Sequence, residues 1–254
     1  MTHDLLRRVD SGRFPFGRRS RAVLATLLLA FALADVAGAD EVDIAGFQVA
    51  IPKGFERGDA EREEEQTMAA PKVGAAPSAP RITEARAYRR TAVGIGSEKF
   101  VFYVLDGLDA DADDPAYASG MSKGIVRSTG GKARIDSTTV RSLGANLRGL
   151  EIRFTIDVGA SIHRFYAMSI PRRGSIGSIS YAVQDVNEAD ADVRWKEILS
   201  GIRSTLGPSV LPSNTSPERV GFAIGQAVGY AAMLGLIGVI VARIIRYRRR
   251  ARSA

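Results

Sequence analysis

Apolar positions along the chain change period several times, and each change marks an element. Val42, Ile44, Phe47, Val49 and Ile51 predict one or two short strands, broken near Gly46 and closed by the turn Pro52-Lys53-Gly54. Ile82 to Tyr88 partly alternates and predicts a strand. Phe100 to Leu105 (FVFYVL) is apolar on both faces, as in a buried central strand. The period then lengthens. Asp113 and Asp114 precede Pro115, an N-cap followed by proline at the first helical position. Tyr117, Met121 and Ile125 carry a helix to about Ser128, where Gly130-Gly131 stops it. Four strands follow, roughly over 134–143, 147–157, 162–170 and 175–183. In them Ile152, Phe154 and Ile156 share one face, as do Ile179, Tyr181 and Val183. Arg172-Arg173-Gly174 after Pro171 reads as a hairpin turn. Asn187 caps a last helix whose face holds Trp195, Ile198, Leu199 and Ile202, and Gly207-Pro208 ends it. This order predicts an α+β domain over 40–207, an antiparallel sheet covered by helices. Residues 56–80, acidic and then rich in alanine and proline, interrupt it as a solvated insertion loop. Pro208, Pro212 and Pro217 make 208–219 a stiff linker.

Two apolar runs at the ends lack the domain's alternation. Residues 1–39 read as a signal peptide: arginines up to Arg21, the run Ala22 to Ala34, then Ala37-Gly38-Ala39 as an A-x-A pattern. Cleavage falls between Ala39 and Asp40; an uncleaved anchor would place the central domain on the same side. The Arg18-Arg19 pair departs from a twin-arginine signal at Arg21 and Ala22. At the other end Val220 to Ala242 runs 23 residues without a charge. As a helix it would span about 34 Å, against about 30 Å for a bilayer core. Arg243, Arg246, Arg248, Arg249, Arg250 and Arg252 follow, so 220–242 is expected to be a transmembrane helix and 243–254 a basic cytoplasmic tail. The expected protein is single-pass in an inner (cell) membrane, with its domain on the periplasmic side. Gly221, Gly225 and Gly229 repeat every four residues and share one helix face, a surface for close helix packing or a homodimer. Leu211-Pro212-Ser213-Asn214-Thr215 lacks the L-P-x-T-G of a sortase signal.

Charge supports this division. The net charge is +7, but residues 1–21 carry +4 and residues 219–254 carry +7, while residues 40–218 hold 22 bases against 25 acids. A slightly acidic domain argues against nucleic acid as a partner. The absence of cysteine excludes disulfides, thiolate metal sites and a cysteine nucleophile.

Little is left to do chemistry. Of two histidines His3 is terminal, so a histidine base must be His163, in a predicted strand with Ser161 and Ser169 as candidate nucleophiles. No G-x-S-x-G elbow accompanies it. An envelope hydrolase using His163 is therefore the enzymatic alternative. Asp106, Asp109, Asp111, Asp113 and Asp114 suggest a calcium loop and, as a second alternative, a calcium-responsive module. Counted from Asp109, the EF-hand glycine and glutamate positions hold Asp114 and Gly120. No phosphate-cradling motif occurs. The expectation is a non-catalytic domain without cofactor or metal that binds a protein partner.

The opening G-F-x-V-x-I-P-x-G-F (Gly46 to Phe55), the antiparallel meander and the closing W-x-x-I-L-x-x-I (Trp195 to Ile202) resemble the PsbP-like superfamily over roughly residues 42–206. The resemblance implies a non-catalytic αβα domain that binds other proteins. Relatives held by a lipidated N-terminal cysteine differ from this chain, so partner identity does not carry over.

Overall fold

The computed structural model describes residues 40–57, 81–91, 97–144, 147–158, 161–184, 186–205 and 216–252. Of two compact units, Met1–Ala39 and Asp40–Ala254, the first lies outside the described residues, and with it the expected leader. So do 58–80 of the expected insertion and most of the expected linker.

The described elements are β1 (Glu41–Ile44), β2 (Phe47–Ala50), β3 (Arg81–Thr91), β4 (Ser97–Asp106), α1 (Pro115–Ser128), β5 (Ala133–Ser142), β6 (Arg148–Val158), β7 (Ser161–Arg172), β8 (Ser175–Gln184), α2 (Glu188–Ser200), β9 (Ile202–Ser204) and α3 (Pro217–Arg252). β3-β4-β8-β7-β6-β5 form one antiparallel sheet, and β1-β2-β9 a second, smaller one. The hairpin turn read from Arg172-Arg173-Gly174 joins β7 to β8: Arg172 pairs with Ser175, leaving a two-residue loop. Gly174 sits there at φ +73°, a left-handed conformation that glycine adopts without strain.

Each face of the large sheet has its own core. Val101, Tyr103, Leu105, Ile152, Phe154 and Phe165 pack under α1 and α3. Phe100, Phe102, Val104, Met168, Ile179 and Tyr181 pack against α2 and the small sheet. The FVFYVL strand is apolar on both faces because both faces are covered.

α2 corrects one boundary. The helix expected to run to Gly207 ends at Ser200, and Ile202 is not on its face. Gly201 caps it, its N–H donating to the Ile198 carbonyl at 3.3 Å. Ile202 instead begins β9, opposite Val49 of β2. A Cβ on Gly201 would stand 2.8 Å from the Ala50 carbonyl oxygen, so only glycine permits this close turn into the sheet. The apolar period continued past the helix because Ile202 enters the same core from a strand.

α2 is held at its centre and along its flanks. Trp195 stacks on Tyr181 with ring centroids 5.9 Å apart and planes 3° from parallel, and leans on Tyr166 at 5.7 Å. On one flank Asp192 pairs with Arg153 at 3.0 Å. Arg153 also reaches Glu151 at 2.6 Å, which binds Arg141 as well. Arg194 lies 3.8 Å from the buried Glu98.

α3 differs most from expectation. It begins at Pro217 rather than Val220 and runs 36 residues, a rod of about 54 Å. Val220, Ile224, Val228 and Leu236 are buried in the same core as Phe154 and Phe165. The packed domain therefore draws on chain well past residue 207. Among the described residues no helix is long and apolar enough to cross a membrane; the side chains after Leu236 are not among them.

Candidate functional site at the seam between two helices

The glycines singled out in the C-terminal segment lie on α1. A side chain at Gly221 would overlap the Tyr117 carbonyl oxygen, and one at Gly225 the Met121 carbonyl oxygen. At Gly229 it would overlap Ser128 Oγ. The contacts climb both helices together, so α1 and α3 run parallel. The opposing surface is small too: a Cβ on Gly120 would strike the Glu218 carbonyl, and one on Gly124 the Phe222 carbonyl. Backbones this close gain dispersion along their length and bring Cα–H groups against carbonyl oxygens.

The surrounding side chains fit this approach. Ser128 donates to its own helix, at 2.9 Å from the Gly124 oxygen and 3.0 Å from that of Ile125. Lys123 and Glu218 pair at 2.5 Å where α3 starts, which holds the Glu218 carboxyl below its ordinary range. Asp114 caps α1 by accepting from the Ala116 N–H at 2.7 Å. Tyr117 reaches Ser169 of β7 at 2.5 Å, and burial pushes the phenol well above its usual pKa. Under α3, Ala231 and Ala232 stand over Lys99, Val101, Phe165, Ser180 and Ala182. Burial first, and Arg89 second, lower the Lys99 ammonium to about 8.

Gly120, Gly124 and Ser128 were missed in the sequence. They repeat the four-residue spacing of Gly221, Gly225 and Gly229, and that pairing was the available signal. With α1 covering the glycine face, a second copy of the chain could use it only after α3 had left α1.

The other candidates lie apart from the seam. His163 is buried and stands opposite Ile156 of β6. Ser169 is six residues along the same strand, about 20 Å away at the usual rise, and is bonded to Tyr117. The loop aspartates serve the backbone and a neighbouring strand. Asp109 accepts from the Gly174 N–H at 3.0 Å and Asp111 from that of Asp113 at 2.9 Å. Asp113 pairs with Arg148 at 2.5 Å. Among the described residues no cluster of three His, Asp or Glu could hold a metal ion. Asp40 is exposed, its carbonyl accepting from Ile51 at 2.9 Å; Ala39 lies outside the described residues.

No family model matches the chain, and no curated protein matches it. Solved structures do resemble it. Cyanobacterial PsbP (CyanoP) from Synechocystis is 13% identical with a TM-score of 0.47, over 66% of this chain and 94% of that one. The Ran-binding protein Mog1p of Saccharomyces cerevisiae is 11% identical with a TM-score of 0.37, over 77% and 93%. The immunity protein TplEi of the type VI secretion system of Pseudomonas aeruginosa is 11% identical with a TM-score of 0.32, over 73% and 84%. These are distant resemblances of fold, PsbP-like among them, and nothing about activity or partners follows from them.

Proposed function

We propose that the chain is a single-pass, membrane-anchored extracytoplasmic protein whose α+β domain works by binding another protein rather than by catalysis. The observation that carries this is the continuity of α3: one unbroken helix holds the whole charge-free segment and the arginine-dense end. A binding role is supported by how the chemistry-bearing side chains are engaged. His163 is buried in the sheet, Ser169 is bonded to Tyr117, and the loop aspartates hold backbone amides and Arg148.

Packing on the sheet and spanning from Val220 to Ala242 are exclusive uses of the same residues. The proposal assigns the span to the protein in its bilayer. Withdrawal of α3 bares Val101, Phe165 and Ala182, an apolar sheet face that calls for a protein partner.

The test is alkaline carbonate extraction of membranes, followed by protease treatment from the extracytoplasmic side. The chain is expected in the pellet, with its domain digested and its C-terminal tail protected. Release into the wash would overturn the anchor; a protected domain would overturn the orientation.

A further inference from the structure

On the side of the large sheet away from the seam lies a cavity of about 590 Å³, within the range of small-molecule sites. It opens between the adjoining ends of β5 and β6 (Ser142 to Gly144 and Leu147), the end of α2 and β9. Its floor is apolar: Leu147, Leu199 and Ile202 are buried, and Leu143 packs against the same core. Its rim is cationic, and among the described residues no carboxylate lines it. Arg141 is neutralised by Glu151. Lys196 and Arg203 also line it, are exposed, and make no ion pair among the described residues. Ser142, Ser200 and Ser204 also line it, with the Ser200 hydroxyl donating to the Glu197 carbonyl at 2.8 Å.

These two halves ask for different things. Two cations without an ion pair among the described residues attract an anion and give it specificity. A floor of leucine and isoleucine gains by taking hydrocarbon out of water. A simple anion leaves the floor wet, and a neutral hydrocarbon leaves the cations unused. One class of ligand satisfies both. We propose that this cavity binds a free anionic amphiphile, with its carboxylate or phosphate head on Lys196 and Arg203 and a short acyl chain over Leu147, Leu199 and Ile202. The inference does not rest on the membrane anchor and stands or falls without it.

The experiment is calorimetric titration of the full chain with octyl phosphate, in neutral-lipid nanodiscs if the chain pellets with membranes and in buffer if it does not, with empty nanodiscs or buffer as the blank. Octyl glucoside and inorganic phosphate each supply one half of the ligand. The key variant is Lys196→Glu with Arg203→Glu; both side chains are exposed, and circular dichroism verifies the fold. Saturable one-to-one binding of octyl phosphate is expected. It should weaken at least tenfold in the double variant, and octyl glucoside and inorganic phosphate should each bind at least tenfold more weakly. No saturable binding, equal binding by the double variant, or inorganic phosphate binding as tightly as octyl phosphate would each overturn the proposal.

Discussion

Lys99 is the side chain most at odds with its place. It lies on the sheet face under α3, where burial lowers its pKa to about 8. An unfolded chain would hold that proton up to about 10.5. Between these values the unfolded state binds more protons than the folded one, so stability rises with pH across that window. The buried phenols act in the opposite sense. Tyr103 and Tyr117 are held well above their ordinary pKa by burial, so above about pH 10 the folded state keeps protons that the unfolded state releases. Denaturation from pH 7 to 11 should show stability climbing from pH 8 toward 10 and falling beyond. In Lys99→Met the climb should vanish, and stability at pH 7 should rise by roughly 1–2 kcal/mol because no charge is buried. A climb that persists in the variant would show that another group causes it.

At the scale of elements, the α1–α3 seam depends on missing side chains. Gly225 faces the Met121 backbone with no room for a Cβ. Backbone cannot rotate aside as a side chain can, so Gly225→Leu must push the helices apart. We expect a loss of about 3 kcal/mol or more in denaturant titrations, in the range of severe overpacking. Tyr230, exposed enough on the same helix to be only partly buried, supplies the control: Tyr230→Ala should change stability far less. Equal losses would mean that the seam does not set the cost, since both substitutions favour a helix. α1 itself was legible down to its cap, since Asp114-Pro115 and Gly130-Gly131 are local signals. α2 was legible at its start and misread at its end, because the apolar period cannot tell a last helical turn from the first residue of a strand entering the same core.

For the whole molecule the decisive element is α3. It buries Val220, Ile224, Val228 and Leu236 on the sheet. At about 1.5–3 kcal/mol for each large apolar side chain, these four bring an upper estimate of roughly 6–12 kcal/mol. That is comparable with the total stability of an ordinary domain, about 5–15 kcal/mol. A chain ending at residue 215 should therefore lose its cooperative thermal transition and bind a dye for exposed apolar surface. If it melted as sharply as the full chain, α3 would be dispensable to the core. The same arithmetic bears on the proposed function: moving α3 into a bilayer is affordable only where a partner covers the bared face.

The sequence by itself determined what depends on near neighbours and on composition. The strand and helix periods, the Asp114 cap, the presence of a β7–β8 turn and the concentration of positive charge at the two ends are local quantities, written residue by residue. Tertiary structure alone decided what the apolar C-terminal segment touches. Hydrophobicity is non-directional: Val220 to Ala242 is equally suited to a bilayer core and to a sheet of valine and phenylalanine. The contact with α1 depends on Gly120 and Gly124 meeting the Glu218 to Gln226 stretch of α3, a hundred residues away along the chain, which no local pattern shows. The cavity over Leu147, Leu199 and Ile202 arose in the same way, from strand ends and a helix end that adjoin only once the sheets are built.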